Sequence, residues 1–190
     1  MVKPGPLVIV SGPSGSGKST VIDRVLKTSP WPLQLSVSAT TRPPRSGERD
    51  GVHYYFWTPE RFDREVRAGA FLEWAEVHGY RYGTLKSEVE PYRQQGRGVI
   101  LDIDVQGART VRGRFPEAML VFLRTSAFET YEKRLRQRAS EDESKIQERL
   151  ATARKELACA AEYHFQVIND DLDVAVDEFQ AILRQLFERK

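Results

Sequence analysis

The sequence predicts an α/β fold in which helices cover both faces of a parallel sheet. Short apolar runs alternate along the chain with segments of helical periodicity. These runs are nearly continuous rather than alternating, which is typical of buried parallel strands. Strands are predicted at LVIVS 7–11, VILDID 99–104, AMLVFL 118–123 and FQVIN 165–169. Because ligands of open parallel sheets bind outside the carboxyl ends of the strands, the residues that follow these runs are candidates for a functional site.

The segments between and after these strands carry helical patterns. Helices are predicted at 18–27, 105–115, 127–138, 143–163 and 172–190. The last of them has an apolar stripe formed by Val174, Val176, Phe179, Ile182, Leu183 and Leu186. A stripe of this kind predicts a helix face that packs on the sheet.

The segment from Leu33 to Ser87 departs from this alternation. It is rich in aromatic residues, glycine and arginine, and its strands are short and alternating, as in HYYFW and FLEWAEV. This change of composition predicts a small mixed β insertion carried by the α/β core.

Composition excludes several classes of function. A length of 190 residues suits one domain of α/β size, and a formal net charge of +2 is too small for a general nucleic-acid binder. The apolar runs are too short for a membrane span, and the N-terminus lacks the apolar region of a signal peptide. A single cysteine excludes an internal disulfide framework and fits a reducing compartment, and the three histidines lack zinc-site spacing. We therefore expect a soluble cytoplasmic protein with no nucleic-acid or membrane partner.

The segment GPSGSGKST lies between the first predicted strand and the first predicted helix. Gly12, Gly17, Lys18 and Ser19 satisfy the pattern G-x-x-x-x-G-K-[ST] in its required context. The glycines let backbone N–H groups point at phosphate oxygens, and the helix start adds the positive end of its dipole. We expect Lys18 to reach the β- and γ-phosphates and Ser19 to ligate Mg²⁺. The alternative, a glycine-rich turn that merely starts a helix, is disfavoured by the complete motif. The predicted triphosphate site is Gly12, Pro13, Ser14, Gly15, Ser16, Gly17, Lys18, Ser19 and Thr20.

A second candidate site lies in SVSATTRPPRSGERDGVHYYF, residues 36–56. The two prolines stiffen the segment, so that Arg42 and Arg45 project from a fixed frame. Guanidinium groups suit a dianionic phosphate, and the hydroxyl of Tyr54 adds a neutral donor. A solvated basic loop is an equally weighted alternative at this point.

The motifs taken together resemble those of the guanylate kinases. The resemblance runs in collinear order from about Leu7 to Leu186, through SGPSGSGKST, SVSATTRPPRSGERDGVHYYF, FLEWAEVHGYRYGT, VILDIDVQGA and VINDDLD. It implies a P-loop kinase that transfers the γ-phosphate of ATP to GMP, and to dGMP, by in-line transfer with Mg²⁺. ATP and GMP are then the expected partners, and the sequence leaves the oligomeric state undetermined.

The resemblance also implies an architecture. A single domain over residues 1–190 would comprise a parallel-sheet P-loop kinase core, a small mixed β GMP-binding insertion and a short helical lid. The implied boundaries are a core of 1–35, 88–136 and 150–190, an insertion of 36–87 and a lid of 137–149.

Individual site residues follow from the same resemblance. The GMP phosphate would contact Arg42, Arg45, Tyr54 and Tyr82. The guanine would lie near Ser38, Glu73 and Thr84, with Asp102 beside the acceptor. Arg134 and Arg138 would face the ATP phosphates, Arg149 would close over the transferred group, and Asn169 would lie near adenine. The implied catalytic set is Lys18, Arg42, Arg134, Arg138 and Arg149, and the implied metal ligands are Ser19 and, through water, Asp102. The chain departs from the family pattern at Ala139, where glycine is common, and at Ala39 and Thr84, where serine is common.

The chemistry of Glu73 can be argued separately. Guanine presents N1–H and N2–H₂ as adjacent donors, which a carboxylate can accept, whereas the N1 lone pair of adenine is repelled by a carboxylate. The strand pattern alone favours an exposed residue of an alternating strand, and the resemblance favours the guanine contact.

Two further groups have ordinary alternatives. Asp102 ends a predicted strand, where a carboxylate can hold Mg²⁺-bound water or orient the acceptor; a helix cap is credible for Asp104 and less so for Asp102. Arg134 and Arg138 share one helix face and suit a lid over phosphates. Solvated helix charge is the usual meaning of such a run.

Two other functions remain open on the sequence. Guanylate-kinase-like domains also serve as phosphopeptide-binding modules, although such modules typically have a damaged phosphate loop. A P-loop kinase of a phosphorylated sugar would not need Glu73 or Ser38 against a base.

Overall fold

The computed structural model describes residues 3–77, 79–137 and 143–188. The strands are β1 (Leu7–Ser11), β2 (Leu33–Leu35), β3 (Ser38–Thr40), β4 (Tyr55–Phe56), β5 (Phe71–Val77), β6 (Tyr80–Leu85), β7 (Gly98–Asp102), β8 (Met119–Arg124) and β9 (Phe165–Ile168). The helices are α1 (Lys18–Thr28), α2 (Pro59–Arg67), α3 (Glu90–Gln94), α4 (Val105–Arg114), α5 (Glu129–Gln137), α6 (Glu143–Ala158) and α7 (Leu172–Phe187), with short 3₁₀ turns at Lys86–Glu88 and Ala160–Glu162.

The strands form two sheets. A five-stranded sheet has the order β2-β7-β1-β8-β9 and is parallel. A four-stranded sheet has the order β4-β3-β6-β5, in which β3 and β4 are parallel and the other pairs antiparallel. The predicted α/β class, with a parallel sheet and a small mixed sheet, is confirmed.

The described residues group into two compact units. The first contains those of Met1–Leu7, Pro32–Leu101 and Gln106–Ala118, and the second contains those of Val8–Trp31, Asp102–Val105 and Met119–Lys190. The first unit holds the mixed sheet, and the second holds the glycine-rich segment that follows β1.

Helix α2 packs on the mixed sheet of the first unit. Its start is explained by Thr58, whose hydroxyl accepts a hydrogen bond from the backbone N–H of Arg61, and by Pro59 in the first turn. Its buried Phe62 stacks on Phe71 of β5 with ring centroids 4.6 Å apart. This aromatic core fixes the sheet that carries the second candidate site.

The second unit is built on β1 and β8, which pair in parallel from Val8 opposite Met119 onward. All five residues of β1 are buried, as the continuous apolar run predicted. Helix α7 begins at Leu172 and is capped by Asp171, whose carboxylate accepts hydrogen bonds from the backbone N–H groups of Asp173 and Val174. This cap starts the helix where the sequence predicted it.

The apolar stripe of α7 differs from the prediction at one end. Its buried residues are Ala175, Val176, Phe179, Ile182 and Leu183. Val174 is 54% exposed, because at 100° per residue it lies on the opposite side of the helix from this stripe. The prediction that Val174 packs inward was therefore wrong.

Other boundaries shift modestly. Strand β7 ends at Asp102 rather than at residue 104, and α6 ends at Ala158, followed by a 3₁₀ turn rather than a continuous helix. No helix in the described part of the chain is long and apolar enough to cross a bilayer.

Candidate functional site

Two glycines of the segment between β1 and α1 combine a positive φ with a neighbour too close for any side chain. Gly12 has φ +150° and Gly17 has φ +89°. A Cβ atom at Gly12 would lie 2.0 Å from the carbonyl oxygen of Leu123, and one at Gly17 would lie 2.3 Å from Nδ2 of Asn169. Both contacts are impossible for a larger residue, so these glycines are required by the close packing of the loop.

Helix α1 begins at this loop with an open N-terminus. Gly17 is the N-cap and provides no side-chain hydrogen bond, so the first-turn N–H groups are not satisfied by a capping side chain. Such a helix end favours an anion. The uncapped helix start and the glycine-dependent backbone both favour the prediction of a phosphate loop, which stays a prediction.

Lys18 lies at the centre of this loop. Its Nζ donates a hydrogen bond to the carbonyl oxygen of Gly12 at 2.6 Å and lies 3.9 Å from Oδ1 of Asp102. Burial raises the pKa of the Asp102 carboxyl above its ordinary value of 3.8, and the Lys18 ammonium acts in the opposite direction. The loop thus combines a cation with a carboxylate at the end of β7.

The residues predicted to hold Mg²⁺ lie on one small cavity. It is lined by Pro13, Ser14, Gly15, Gly17, Lys18, Ser19 and Asp102. No group of three or more His, Cys, Asp or Glu side chains in the described ranges could hold a metal ion alone. A hydroxyl and a carboxylate fit Mg²⁺ that takes its other ligands from water and substrate phosphates, as this ion usually does. The donor set fits the predicted ion.

The side chains of Arg134 and Asn169 donate hydrogen bonds to carbonyl oxygens of the loop. Arg134 Nη1 donates to the carbonyl oxygens of Gly15 and Ser16 at 3.1 and 3.3 Å, and its Nη2 donates to the carbonyl oxygen of Asn169 at 3.2 Å. The Asn169 side-chain amide donates to the carbonyl oxygen of Ser16 at 2.8 Å. The two side chains therefore support the loop itself, a role that the sequence did not indicate.

An adjoining cavity is lined by Gly15, Gly17, Thr20, Arg134, Asn169, Asp170 and Leu172. Arg149 Nη2 of α6 donates to the hydroxyl of Ser14. Arg134, Arg149 and Asn169 are thus all brought to the loop. Arg138 and Ala139 lie outside the described residues, as does part of the predicted lid.

The second candidate site lies in the first unit. Arg42 is only 8% exposed, so the solvated-loop alternative is wrong for this residue, whereas the side chain of Arg45 is exposed. Arg42 Nη2 donates to Oε1 of Glu48 at 2.9 Å, and its guanidinium lies 5.5 Å from the ring centroid of Tyr54. The ring of Tyr54 meets that of Tyr82 edge to face at 5.9 Å. Three of the four residues predicted to contact the acceptor phosphate therefore lie together: Arg42, Tyr54 and Tyr82. The fourth, Arg45, is three residues after Arg42 in the chain.

Glu48 is a site residue that the sequence reasoning missed. Its Oε2 accepts a hydrogen bond from the backbone N–H of Arg45 at 2.6 Å. Burial alone would raise the pKa of its carboxyl, but the hydrogen bonds from Arg42 and Arg45 outweigh it and hold the pKa below 4.5. No spacing in the sequence reveals this contact, because it depends on the turn between Arg45 and Glu48.

Glu73, Thr84 and Ser38 are adjacent on three neighbouring strands. Glu73 is 5% exposed, so the interpretation as an exposed strand residue is wrong. Its Oε1 accepts hydrogen bonds from the backbone N–H and the hydroxyl of Thr84, at 3.1 and 2.6 Å. Thr84 is paired in turn with Ser38 of β3. The three residues predicted around the base are thus brought together.

A phosphate loop between the first strand and first helix of a parallel sheet defines a P-loop nucleotide-binding protein. The family model described as "Guanylate kinase" matches residues 5–186. A guanylate kinase of Rubrobacter xylanophilus is 48% identical over 182 residues, which cover 96% of this chain and 95% of the relative. One of Fusobacterium nucleatum is 47% identical over 179 residues, which cover 94% and 96%.

Solved structures agree with these sequences. The crystal structure of guanylate kinase from Anaplasma phagocytophilum matches with a TM-score of 0.81 at 29% identity, covering 100% of this chain and 89% of that one. The chain belongs to the guanylate kinase family.

Proposed function

We propose that this chain transfers the γ-phosphate of ATP to GMP, giving ADP and GDP, and that it also accepts dGMP. Membership of the guanylate kinase family supports the reaction. The observation in this chain that carries the choice of acceptor is the buried Glu73 carboxylate, held by Thr84 beside Ser38. The use of dGMP is carried over from the same family resemblance.

On the donor side, the loop N–H groups and the start of α1 would bind the triphosphate, and Lys18 would reach its β- and γ-phosphates. Arg134 and Asn169 keep the loop in shape through its carbonyl oxygens. Arg149, already at Ser14, would meet the transferred group. We retain Arg138 as a catalytic residue on the resemblance alone.

Ser19 and Asp102 would hold Mg²⁺, Asp102 through water. The ion supplies charge neutralisation on the phosphates. The Lys18 ammonium, 3.9 Å from Asp102, adds a second positive charge at the same place.

On the acceptor side, Arg42, Arg45, Tyr54 and Tyr82 would bind the GMP phosphate, and Ser38, Glu73 and Thr84 the guanine. The attacking group is a phosphate oxygen that is ionised at neutral pH, so no general base is required. Positioning and charge neutralisation can therefore carry the catalysis.

The division into a core, a GMP-binding insertion (36–87) and a lid (137–149) remains part of this proposal. So does a cytoplasmic location, which the single cysteine supports. An intact phosphate loop disfavours a phosphopeptide-binding module. Membership of the guanylate kinase family favours a base over a sugar as the partner of the buried Glu73 carboxylate.

An ADP-release assay with ATP and Mg²⁺ tests the proposal. The acceptor panel is GMP, dGMP, AMP, UMP, CMP and ribose bisphosphate, and Lys18→Ala serves as the inactive control. Turnover of GMP and dGMP at least about a hundredfold above the other acceptors, as hydrogen-bonded recognition provides, is expected. Preference for ribose bisphosphate, or no turnover with any acceptor, would replace the proposal with one of the alternatives.

A further inference from the structure

Strand β5 contains an irregularity next to Glu73. Phe71 is opposite Leu85 of β6, but the next paired residue, Glu73, is opposite Thr84. Two steps along β5 therefore match one step along β6, and Leu72 is the extra residue of a β-bulge. A bulge bends its strand, re-aims the neighbouring side chains and leaves one residue out of the ladder.

Two backbone groups next to this bulge form hydrogen bonds with side chains. The N–H of Thr84 donates to the Glu73 carboxylate at 3.1 Å. The carbonyl oxygen of Leu72 accepts a hydrogen bond from Nη1 of Arg114 at 2.5 Å. Arg114 is the last residue of α4, 42 positions away along the chain.

The contact with Arg114 matters because Leu72 is only 2% exposed. A carbonyl group in such a position is costly when it lacks a donor, and a charged guanidinium is a strong one. Arg114 thus fixes the backbone one residue before Glu73, while Thr84 fixes the Glu73 side chain. Together they determine where the carboxylate lies.

We infer that Arg114 is a positioning residue for acceptor recognition. It holds the Leu72 bulge so that the Glu73 carboxylate meets the guanine edge, and it sets selectivity for GMP over AMP without touching the nucleotide. This inference rests on the proposed function.

Steady-state kinetics of Arg114→Met test the inference. Methionine keeps an apolar stem and removes the donor. We expect kcat/KM for GMP to fall by about tenfold, mainly through KM, because the base is bound alike in the ground and transition states. KM for ATP and kcat/KM for AMP should not change. The GMP-to-AMP ratio, meaning kcat/KM for GMP divided by kcat/KM for AMP, should therefore fall. Arg112→Met, an exposed arginine of the same helix, is the matched control and should keep the wild-type ratio.

A double-mutant cycle separates positioning from general destabilisation. If Arg114 acts through Glu73, Arg114→Met should change the GMP-to-AMP ratio little in a Glu73→Gln background. Additive losses in the cycle, or an unchanged ratio in folded Arg114→Met, would overturn the inference.

Arg114→Lys covers the case in which the methionine variant does not fold. The lysine ammonium can still donate to the Leu72 carbonyl oxygen, but it does not reproduce the guanidinium contact. We therefore expect the GMP-to-AMP ratio of kcat/KM to fall by at least about twofold. A wild-type ratio and GMP KM would overturn the inference here too. Failure of the proposed function looks different: wild-type protein would then show no preference for GMP over AMP.

Discussion

Arg42 and Glu48 form a largely buried ion pair, with Nη2 and Oε1 2.9 Å apart and side chains 8% and 17% exposed. The same carboxylate binds the backbone N–H of Arg45. Glu48 therefore supplies the counter-charge that lets Arg42 be buried, and it ties together the two arginines proposed to bind the acceptor phosphate. Removing one partner of such a pair leaves an uncompensated charge.

Glu48→Gln should weaken both the fold and GMP binding. We expect a loss of about 2 kcal/mol in the free energy of unfolding, less than for a fully buried pair because Glu48 is partly exposed. KM for GMP should rise about fivefold with little change in kcat, because the Arg42 guanidinium is no longer held by the Glu48 carboxylate. Urea unfolding and steady-state kinetics measure these effects. Glu65→Gln, in a pair whose Arg64 side chain is 66% exposed, is the control that should change neither. Wild-type stability and GMP KM in Glu48→Gln would contradict the prediction.

Lys18→Ala should abolish phosphoryl transfer while the fold stays intact. Its ammonium donates to the loop carbonyl of Gly12 and lies 3.9 Å from Oδ1 of Asp102, so these contacts belong to the polar loop and not to the apolar core. We expect kcat to fall by at least about a hundredfold, as for loss of a group that stabilises transition-state charge. Lys27→Ala, at the exposed end of α1, is the matched control. Activity within about tenfold of wild type, roughly 1.4 kcal/mol, would remove Lys18 from the phosphate site.

Glu156 of α6 should make stability depend on pH. Burial raises the pKa of its carboxyl to about 7, with Lys18 acting to lower it and Asp104 to raise it. The folded state therefore holds a proton that the unfolded state releases near pH 4.5, so stability falls as pH rises from about 4.5 to about 7.

Glu156→Gln should remove this fall. Between pH 5 and 8 the unfolding free energy of wild type should drop relative to the variant, by at most about 3 kcal/mol. Urea unfolding followed by tryptophan fluorescence at several pH values gives the two profiles. Glu148→Gln, exposed on the same helix, should run parallel to wild type. Parallel profiles for Glu156→Gln as well would show that this carboxyl titrates normally.

The sequence predicted the elements whose signal is local. Strands β1, β8 and β9 lie within one residue of their predicted bounds. Strands β1 and β8 are the continuous buried runs that the pattern predicted, whereas the prediction of a buried strand was wrong for β9, in which Gln166 and Ile168 are exposed. Helix α2 was missed although Thr58 and Pro59 mark its start, since the aromatic composition of the region suggested strands. Strands β2 and β3 were missed because three residues carry too little pattern to recognise.

The candidate site divides in the same way. The phosphate loop could be predicted because contiguous backbone forms it. The contacts of Glu48 and Arg114 could not, because they depend on a turn and on a one-residue bulge that no spacing reveals. Catalytic roles, including that of Arg138, stay predictions.

Glu73→Gln tests the choice of guanine most directly. Oε1 of Glu73 accepts two hydrogen bonds from Thr84. A glutamine would keep its carbonyl oxygen at this position, so its NH₂ donor would occupy the position of Oε2. That donor would face the N1–H or N2–H₂ of guanine, where one charge-assisted hydrogen bond is lost. A hydrogen bond to a charged group is worth roughly 1.5–3 kcal/mol, so kcat/KM for GMP should fall at least about tenfold, mainly through KM.

The same change should relax the rejection of AMP. The new donor can meet the N1 lone pair of adenine, which the carboxylate repels. The GMP-to-AMP ratio of kcat/KM should therefore fall, because kcat/KM decreases for GMP and increases for AMP. Kinetics of wild type and variant on GMP and AMP measure the ratio, and circular dichroism confirms folding. Glu76→Gln, exposed on the same strand, is the matched control. A folded Glu73→Gln protein with the wild-type ratio would place Glu73 outside the base site and would reopen the sugar-phosphate alternative, which does not need Glu73 against a base.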